Sequence, residues 1–317
     1  MPEHRGVADF RGFEEYRVAV EGGRLAVLRW PAAEPGAPVV LGVHGITANA
    51  LSWASVAEAL GGRVTLLAPD LRGRANSRDV AGSWGVAQHT RDLISVLDDA
   101  GLERALLAGH SMGAFVVCAT AARHPDRVAA VVAVDGGVSL EPPEGFDPRV
   151  DPDAVLDAMI GPALRKLAMR FADDEAYLDF FRDHPSFVGN WTPQLTAYLT
   201  RDTLRLPEGG VASSCIEAAI LSDGREILLD QDVMQASKRL AGPALLLYAE
   251  RGMFNQPQGL YDAGRIAETG LDPTRMPAEL VPDTNHYTVM APGAGADAVA
   301  AAVLRLSGLN AATGGRL

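Results

Sequence analysis

Apolar positions in this chain follow two rhythms. Short runs, apolar almost throughout and rich in β-branched residues or leucine, alternate with longer stretches where apolar residues return at three- and four-residue spacing. The short runs predict strands at Tyr16–Val20, Arg24–Trp30, Val39–Val43, Val64–Ala68, Ala105–Ala108, Val128–Val134, Ala244–Tyr248 and Glu279–Val281. The first two, joined across Glu21-Gly22-Gly23, predict a hairpin. From Val39 onward the runs have no polar face, as a parallel sheet covered on both sides requires. Between them, Val86, His89, Thr90, Leu93, Ile94 and Leu97 mark one helix, which Gly101 stops. Met112–Arg123, ended by His124-Pro125, and Ala296–Leu306 are two more. The alternation predicts the α/β class: a doubly wound, mostly parallel, eight-stranded sheet with right-handed crossovers.

The rhythm breaks from about Gly137 to Gly242. That segment opens on Glu141-Pro142-Pro143-Glu144 and turns mostly helical, over Ala154–Ala172, Asp174–Arg182 and Thr192–Leu204; a strand pattern resumes only at Pro243. The expected organisation is therefore a core made of residues 1–136 and 243–317, with a helical cap over 137–242. No internal repeat is visible, and the Gly/Ala-rich tail Asn310–Leu317 is expected to fray.

Composition sharpens this picture. A chain of 317 residues suits one large α/β domain carrying an insertion. Its 48% hydrophobic and 21% charged residues fit an ordered core. The net charge of −12 repels phosphate backbones and anionic lipid heads, which excludes nucleic acid and acidic membranes as main partners. Two cysteines, Cys118 and Cys215, are too few for a disulfide framework or a four-ligand zinc site. Met1–Arg17 has no apolar core and no apolar run reaches 18 residues, so a soluble cytoplasmic protein is expected, as a monomer or homodimer. No metal-ligand spacing, phosphate loop or dinucleotide glycine pattern appears, and no cofactor is expected.

Chemistry enters with Gly109-His110-Ser111-Met112-Gly113, a G-x-S-x-G directly after a strand and before a helix. A serine at such a turn is forced into strained backbone, tolerates only small neighbours two residues away, and stands exposed at the sheet's carboxyl edge. The following helix start offers amide donors to an anion. Of seven histidines, at 4, 44, 89, 110, 124, 184 and 286, only His286 follows the final predicted strand, where the sheet edges converge on Ser111.

With these motifs the sequence resembles the α/β-hydrolase family. His44-Gly45-Ile46 after the third strand, Asp70-Leu71-Arg72-Gly73-Arg74 after the fourth, the Ser111 turn and Asn285-His286-Tyr287 match it in order, from about Val18 to Leu306, interrupted by the cap. The resemblance implies Ser111 as nucleophile and His286 as base, in the chain order nucleophile, acid, base. It also implies an oxyanion hole of the Ile46 and Met112 backbone amides, with His44 pinning the loop. Asp70, Arg72 and Arg74 resemble a structural loop.

The acid stays open at this level. Most relatives carry an aspartate in a Gly-x-x-Asp stretch after the strand that follows the cap; here that stretch reads Ala249-Glu250-Arg251-Gly252. Asp135 ends the strand after the nucleophile helix. A subset of the family, including some haloalkane dehalogenases and fungal-type resorcylic-acid lactonases, places its carboxylate there. Asp135 leads, Glu250 is the alternative, and Asp283 is a loop-shaping residue. Trp53 (with Ser52 beside it), Phe187, Trp191 and Tyr198 are candidate pocket residues, the last three within a cluster of seven aromatics between 171 and 198. The cap holds 18 Asp and Glu against 10 Lys and Arg, a net −8, which points to a solvated outer face over an aromatic inner one.

The expected activity is a serine hydrolase acting on a carboxylic ester or lactone of a mostly apolar small molecule. The early acid position is similar to that of lactonases of macrocyclic resorcylic lactones such as zearalenone. Alternatives are a carbon–carbon bond hydrolase of the meta-cleavage-product type, a cofactor-free haloperoxidase or perhydrolase, or a hydrolase-fold ligand receptor. Haloalkane dehalogenases and epoxide hydrolases of this family need an aspartate where Ser111 stands.

Overall fold

A computed structural model describes residues 12–139, 145 and 147–309. The stretch 141–144 and the tail 310–317 lie outside these residues. In chain order the elements are β1 Glu14–Val20, β2 Gly23–Trp30, β3 Val39–Val43, α1 Ala54–Leu60, β4 Thr65–Pro69, α2 Val86–Asp99, β5 Ala105–His110, α3 Met112–Arg123 and β6 Val128–Val134. Then come α4 Pro152–Ala168, α5 Asp174–Arg182, α6 Pro193–Arg201, β7 Thr203–Arg205, β8 Val211–Ser213, α7 Glu217–Leu229 and α8 Gln231–Met234. The chain closes with β9 Ala244–Arg251, α9 Ala263–Glu268, β10 Ala278–Asn285 and α10 Ala294–Leu306.

Eight strands form one sheet in the order β1-β2-β4-β3-β5-β6-β9-β10. The β1–β2 and β2–β4 pairs are antiparallel and every other pair is parallel. Successive residues of the central strands point to opposite faces. Leu41, Leu107, Val131 and Leu246 meet Leu93, Val96 and Leu97 of α2 and Val116, Val117 and Cys118 of α3. Their neighbours Val40, Leu106, Val132 and Leu245 meet Val56 and Leu60 of α1 and Val299 and Val303 of α10. Each fully buried Leu or Val side chain contributes about 1.5–3 kcal/mol of transfer free energy. Two apolar layers of this kind hold the sheet's carboxyl edge rigid.

The segment between β6 and β9 is largely helical, but the apolar pattern announces neither α7 and α8 nor a short hairpin, β7 pairing β8 antiparallel. Helix α4 begins at an Asp151 cap accepting from the Ala154 amide, and it kinks at Ile160 just ahead of Pro162. Tyr177, Leu178, Leu199 and Val211 form a small separate core. Arg201, at the end of α6, ties this segment to the β4 loop through Asp70, at 2.7 Å. The last part returns to the sheet: Val233, Ala236 and Leu240 share the apolar cluster of α2 and α3. Among the described residues no helix is long and apolar enough to cross a membrane.

Candidate active site

The turn from β5 into α3 places Ser111 at φ 55°, ψ −124°, a backbone region that non-glycine residues rarely occupy. Crowding explains why its neighbours are glycines. A Cβ on Gly109 would lie 2.3 Å from the Gly113 carbonyl oxygen, and one on Gly113 would lie 2.2 Å from that of Val43. The serine is thus held at the tip, between two backbone segments that touch.

His286 arrives from the other side of the sheet edge. Strand β10 bulges against β9: Val281 pairs with Ala249 but Asn285 pairs with Arg251, so four residues span the length of two. Past the bulge the Asn285 carboxamide oxygen accepts from the Tyr287 and Thr288 amides, each at 2.9 Å, and fixes the loop. The imidazole Nε2 then lies 3.1 Å from Ser111 Oγ, and Nδ1 lies 2.7 Å from Asp135 Oδ2. Asp135 is fully buried at the end of β6, with φ 44°. Its Oδ1 accepts from the Ala249 amide at 3.1 Å. A carboxylate so placed accepts the Nδ1–H hydrogen bond, keeps the proton on Nδ1 and leaves Nε2 to accept from the serine hydroxyl.

Two further histidines brace this row. His110 donates from Nε2 to the His286 carbonyl at 2.8 Å. Burial, with the His286 ring as a lesser cause, pushes the His110 pKa down to about 3, so its ring is neutral at ordinary pH. His44 accepts the Leu71 amide on Nε2 at 2.9 Å and donates from Nδ1 to the Gly45 carbonyl at 2.7 Å. Burial pushes it down to about 4, against the pull of Asp70. Both rings hold backbone.

Gly45 sits against Ser111, where an added Cβ would lie 3.2 Å from Ser111 Cβ. The Ile46 amide follows it. The loop is held from behind, because Arg74 Nε donates to the Ile46 carbonyl at 3.0 Å. Met112 is the first residue of α3, so its N–H has no partner within the helix. Arg74 is fully buried and pairs with Asp223 of α7, which also meets His89 Nε2 at 2.9 Å. Burial would raise the Asp223 pKa, yet Arg74 and then His89 hold it well below the usual carboxylate range.

The remaining candidates lie elsewhere. Glu250 is exposed and accepts the Asp283 amide at 2.7 Å, so it stabilises the β10 bulge and not the histidine. Asp283 is exposed on that bulge, at φ 58°. Trp53 is fully buried in the α1 side of the core, so close to Gly42 that a Cβ there would meet its indole at 2.7 Å. It does not reach the cavity, because the turn before α1 points it at the sheet; Leu51 and Ser52 line the cavity in its place. Trp191 lies outside too: its Nε1 donates to Thr196 Oγ1 at 3.0 Å, and its ring covers the Arg182 guanidinium at 4.6 Å.

Phe187 and Tyr198 do line a cavity of about 110 Å³ that opens on Ser111 and His286. Its other walls include Ile46, Leu195, Tyr287 and Met290. A second lobe of about 70 Å³ shares Thr47, Ile160, Ala163, Phe187, Tyr198 and Tyr287 with the first and runs along α4 and α5 to Lys166. Tyr287 and Met253, which line both lobes, carry no sequence signal beyond their nearness to His286 and to the β9 end. Among the described residues no three His, Cys, Asp or Glu side chains gather closely enough to hold a metal ion.

A family model described as alpha/beta hydrolase fold matches residues 38–289. The chain belongs to the α/β-hydrolase fold family. Lipase LipV of Mycobacterium tuberculosis is 31% identical over 231 residues, 67% of this chain and 85% of that protein. Epoxide hydrolase A of Mycobacterium tuberculosis is 42% identical over 123 residues, a match that spans only 38% of either chain. The 2-(acetamidomethylene)succinate hydrolase of Mesorhizobium japonicum is 25% identical over 258 residues, 79% of this chain and 82% of that one. Among solved structures, E-2-(acetamidomethylene)succinate hydrolase superposes with a TM-score of 0.71 at 22% identity, over 93% of this chain and 98% of that chain. The thioesterase domain from the curacin biosynthetic pathway gives 0.70 at 21% identity, over 93% and 100%. At these identities the structural likeness speaks for the fold. Within this α/β-hydrolase fold, the Ser111 turn, the Asp135 carboxylate and the His286 loop occupy three neighbouring positions on one sheet edge.

Proposed function

We propose that this chain is a serine hydrolase that cleaves carboxylic esters, lactones included, of mostly apolar small molecules. The observation that carries the reading is the hydrogen-bonded row from Ser111 through His286 to Asp135, open to an apolar cavity. Ser111 Oγ attacks the carbonyl carbon while His286 Nε2 takes its proton. The Ile46 and Met112 amides receive the oxygen as it becomes negative, where one lost donor costs about 3 kcal/mol. His286 returns the proton to the leaving alkoxide. A water then loses its proton to the same nitrogen and clears the acyl group. Asp135 keeps the ring in the required tautomer and stabilises the imidazolium.

Serine at position 111, in place of the aspartate expected of an epoxide-opening relative, supports acyl transfer over epoxide chemistry. The sequence relation to a protein named as a lipase fits the ester reading. Asp135 at the end of β6 fits the lactonase-like subset, so resorcylic macrolactones such as zearalenone belong in the substrate panel.

Discrimination rests on three substrate types: p-nitrophenyl esters, aryl lactones and a 2-hydroxy-6-keto-dienoate, each with Ser111→Ala alongside. The proposal expects ester or lactone turnover that Ser111→Ala abolishes. Turnover of the dienoate alone would establish the carbon–carbon bond hydrolase, and binding without turnover would establish a receptor.

A further inference from the structure

The far lobe of the cavity is lined by one ammonium that the reaction does not use, beside Asp202 and His184. Lys166, in the last turn of α4, is 6% exposed and forms part of the lobe's wall, among Met159, Ile160, Phe180, Phe181 and Leu199. Its Nζ donates to Asp202 Oδ2 at 2.7 Å and lies 5.7 Å and 5.5 Å from the Tyr177 and Phe181 ring centroids. Burial would lower the Lys166 pKa, but Asp202 outweighs it and holds the group charged.

Asp202, for its part, is fully engaged. Ser213 Oγ donates to it at 3.0 Å, Ser214 Oγ at 2.9 Å, and the Tyr177 hydroxyl donates to Oδ2. The carboxylate therefore shares its charge among three hydroxyls and the ammonium. An ammonium has three N–H donors. Among the described residues Lys166 meets the Asp202 carboxylate and lies beside the Tyr177 hydroxyl. One donor is left beside a lobe whose other walls are mostly apolar, where an unmade hydrogen bond is costly.

We propose that Lys166 is the recognition point for a neutral oxygen acceptor, a ketone, hydroxyl or ether, carried by the substrate away from the scissile carbonyl. This rests on the hydrolase reading and adds a second anchor to it. The acceptor is neutral because the Lys166–Asp202 pair already sums to zero charge. A carboxylate would have to shed its water to enter an apolar lobe with no net positive charge to receive it. Lys166 then acts in specificity: the apolar lobe admits the chain, and the ammonium rejects chains that leave this donor unmet.

The test is a series of esters differing in the position of one oxo group. One arm holds p-nitrophenyl esters of oxo acids and the other aryl acetates of oxo-substituted phenols, each beside its unsubstituted homologue of equal length. The readout is the ratio of kcat/KM, oxo over plain. In the wild type one position in one arm is expected to be preferred about 10- to 100-fold, the worth of one hydrogen bond to a charged donor. In Lys166→Met that ratio falls to about one. The paired variant Lys166→Met/Asp202→Asn removes both charges together, so it leaves no buried ion unpaired and gives the same collapse. A wild-type ratio near one at every position in both arms, or a preference that survives either variant, overturns the proposal. No hydrolysis of any plain ester overturns instead the hydrolase reading on which it stands.

Discussion

Ser111 and Asp135 are two of five non-glycine residues with left-handed φ among the described residues. Such conformations cost about 1–3 kcal/mol each and persist where surrounding packing dictates them. Here both strained residues point a functional group at the same imidazole. Asp135→Asn should therefore leave the fold and Tm nearly unchanged while lowering kcat about ten-thousandfold, since the amide favours the wrong tautomer. Glu250→Gln should stay within a few-fold of wild type, because its oxygen can still accept the Asp283 amide. Steady-state kinetics of the two variants check this, and the reverse pattern would move the acid to Glu250. The ambiguity between these carboxylates is instructive. Ser111 and His286 stand out in the sequence by motif and order, whereas Asp135 and Glu250 both lie at the ends of neighbouring strands, on the same sheet edge. What separates them is strand phase. On β9 Ala249 turns inward and donates to Asp135, so Glu250 must turn outward.

At the scale of elements, all eight core strands appear where the apolar runs place them, and the α3 bounds agree with the sequence to the residue. Strand ends are less legible: β9 continues to Arg251 and β10 to Asn285, because the bulge between them is a matter of pairing and not of hydropathy. The β7–β8 hairpin is silent in the sequence, since three-residue strands carry no period. Trp53 and Trp191 show the same limit for side chains: periodicity finds the aromatics but not the face each one chooses. The ion pairs of the segment between β6 and β9 also rest on partners far apart in sequence. Arg201 meets the fully buried Asp70 and the exposed Glu15, whereas Arg225 meets Asp153 in solvent. Arg201→Met leaves a buried carboxylate without its cation and should cost about 3–5 kcal/mol. Arg225→Met should cost about 1 kcal/mol or less. Thermal unfolding of both variants checks the order; equal Tm values would contradict it.

For the whole molecule, the buried neutral histidines set a limit at low pH. His44 and His110 have folded pKa values of about 4 and about 3, below the ordinary 6.5. Above pH 6.5 both rings are neutral, folded or unfolded, and their contribution is fully present. As pH falls below 6.5 the unfolded chain takes up protons that the folded rings refuse. Stability then drops by about 1.4 kcal/mol per pH unit for each ring, until the folded rings themselves protonate. Denaturant unfolding at pH 7, 6, 5 and 4 should show this decline, and a stability level from 7 to 4 would contradict it. Since both rings hold the backbone of the Gly45, Leu71 and His286 loops, acid inactivation and acid unfolding should run together. The account as a whole stands on an acyl group transferred to Ser111, and that species can be weighed. Wild-type protein mixed with a p-nitrophenyl ester, quenched in acid within milliseconds and digested, should show the acyl mass on the peptide that carries Ser111. That adduct should be absent from Ser111→Ala, which should also lose turnover. Turnover at the wild-type rate in Ser111→Ala, with no adduct in either protein, would contradict the account.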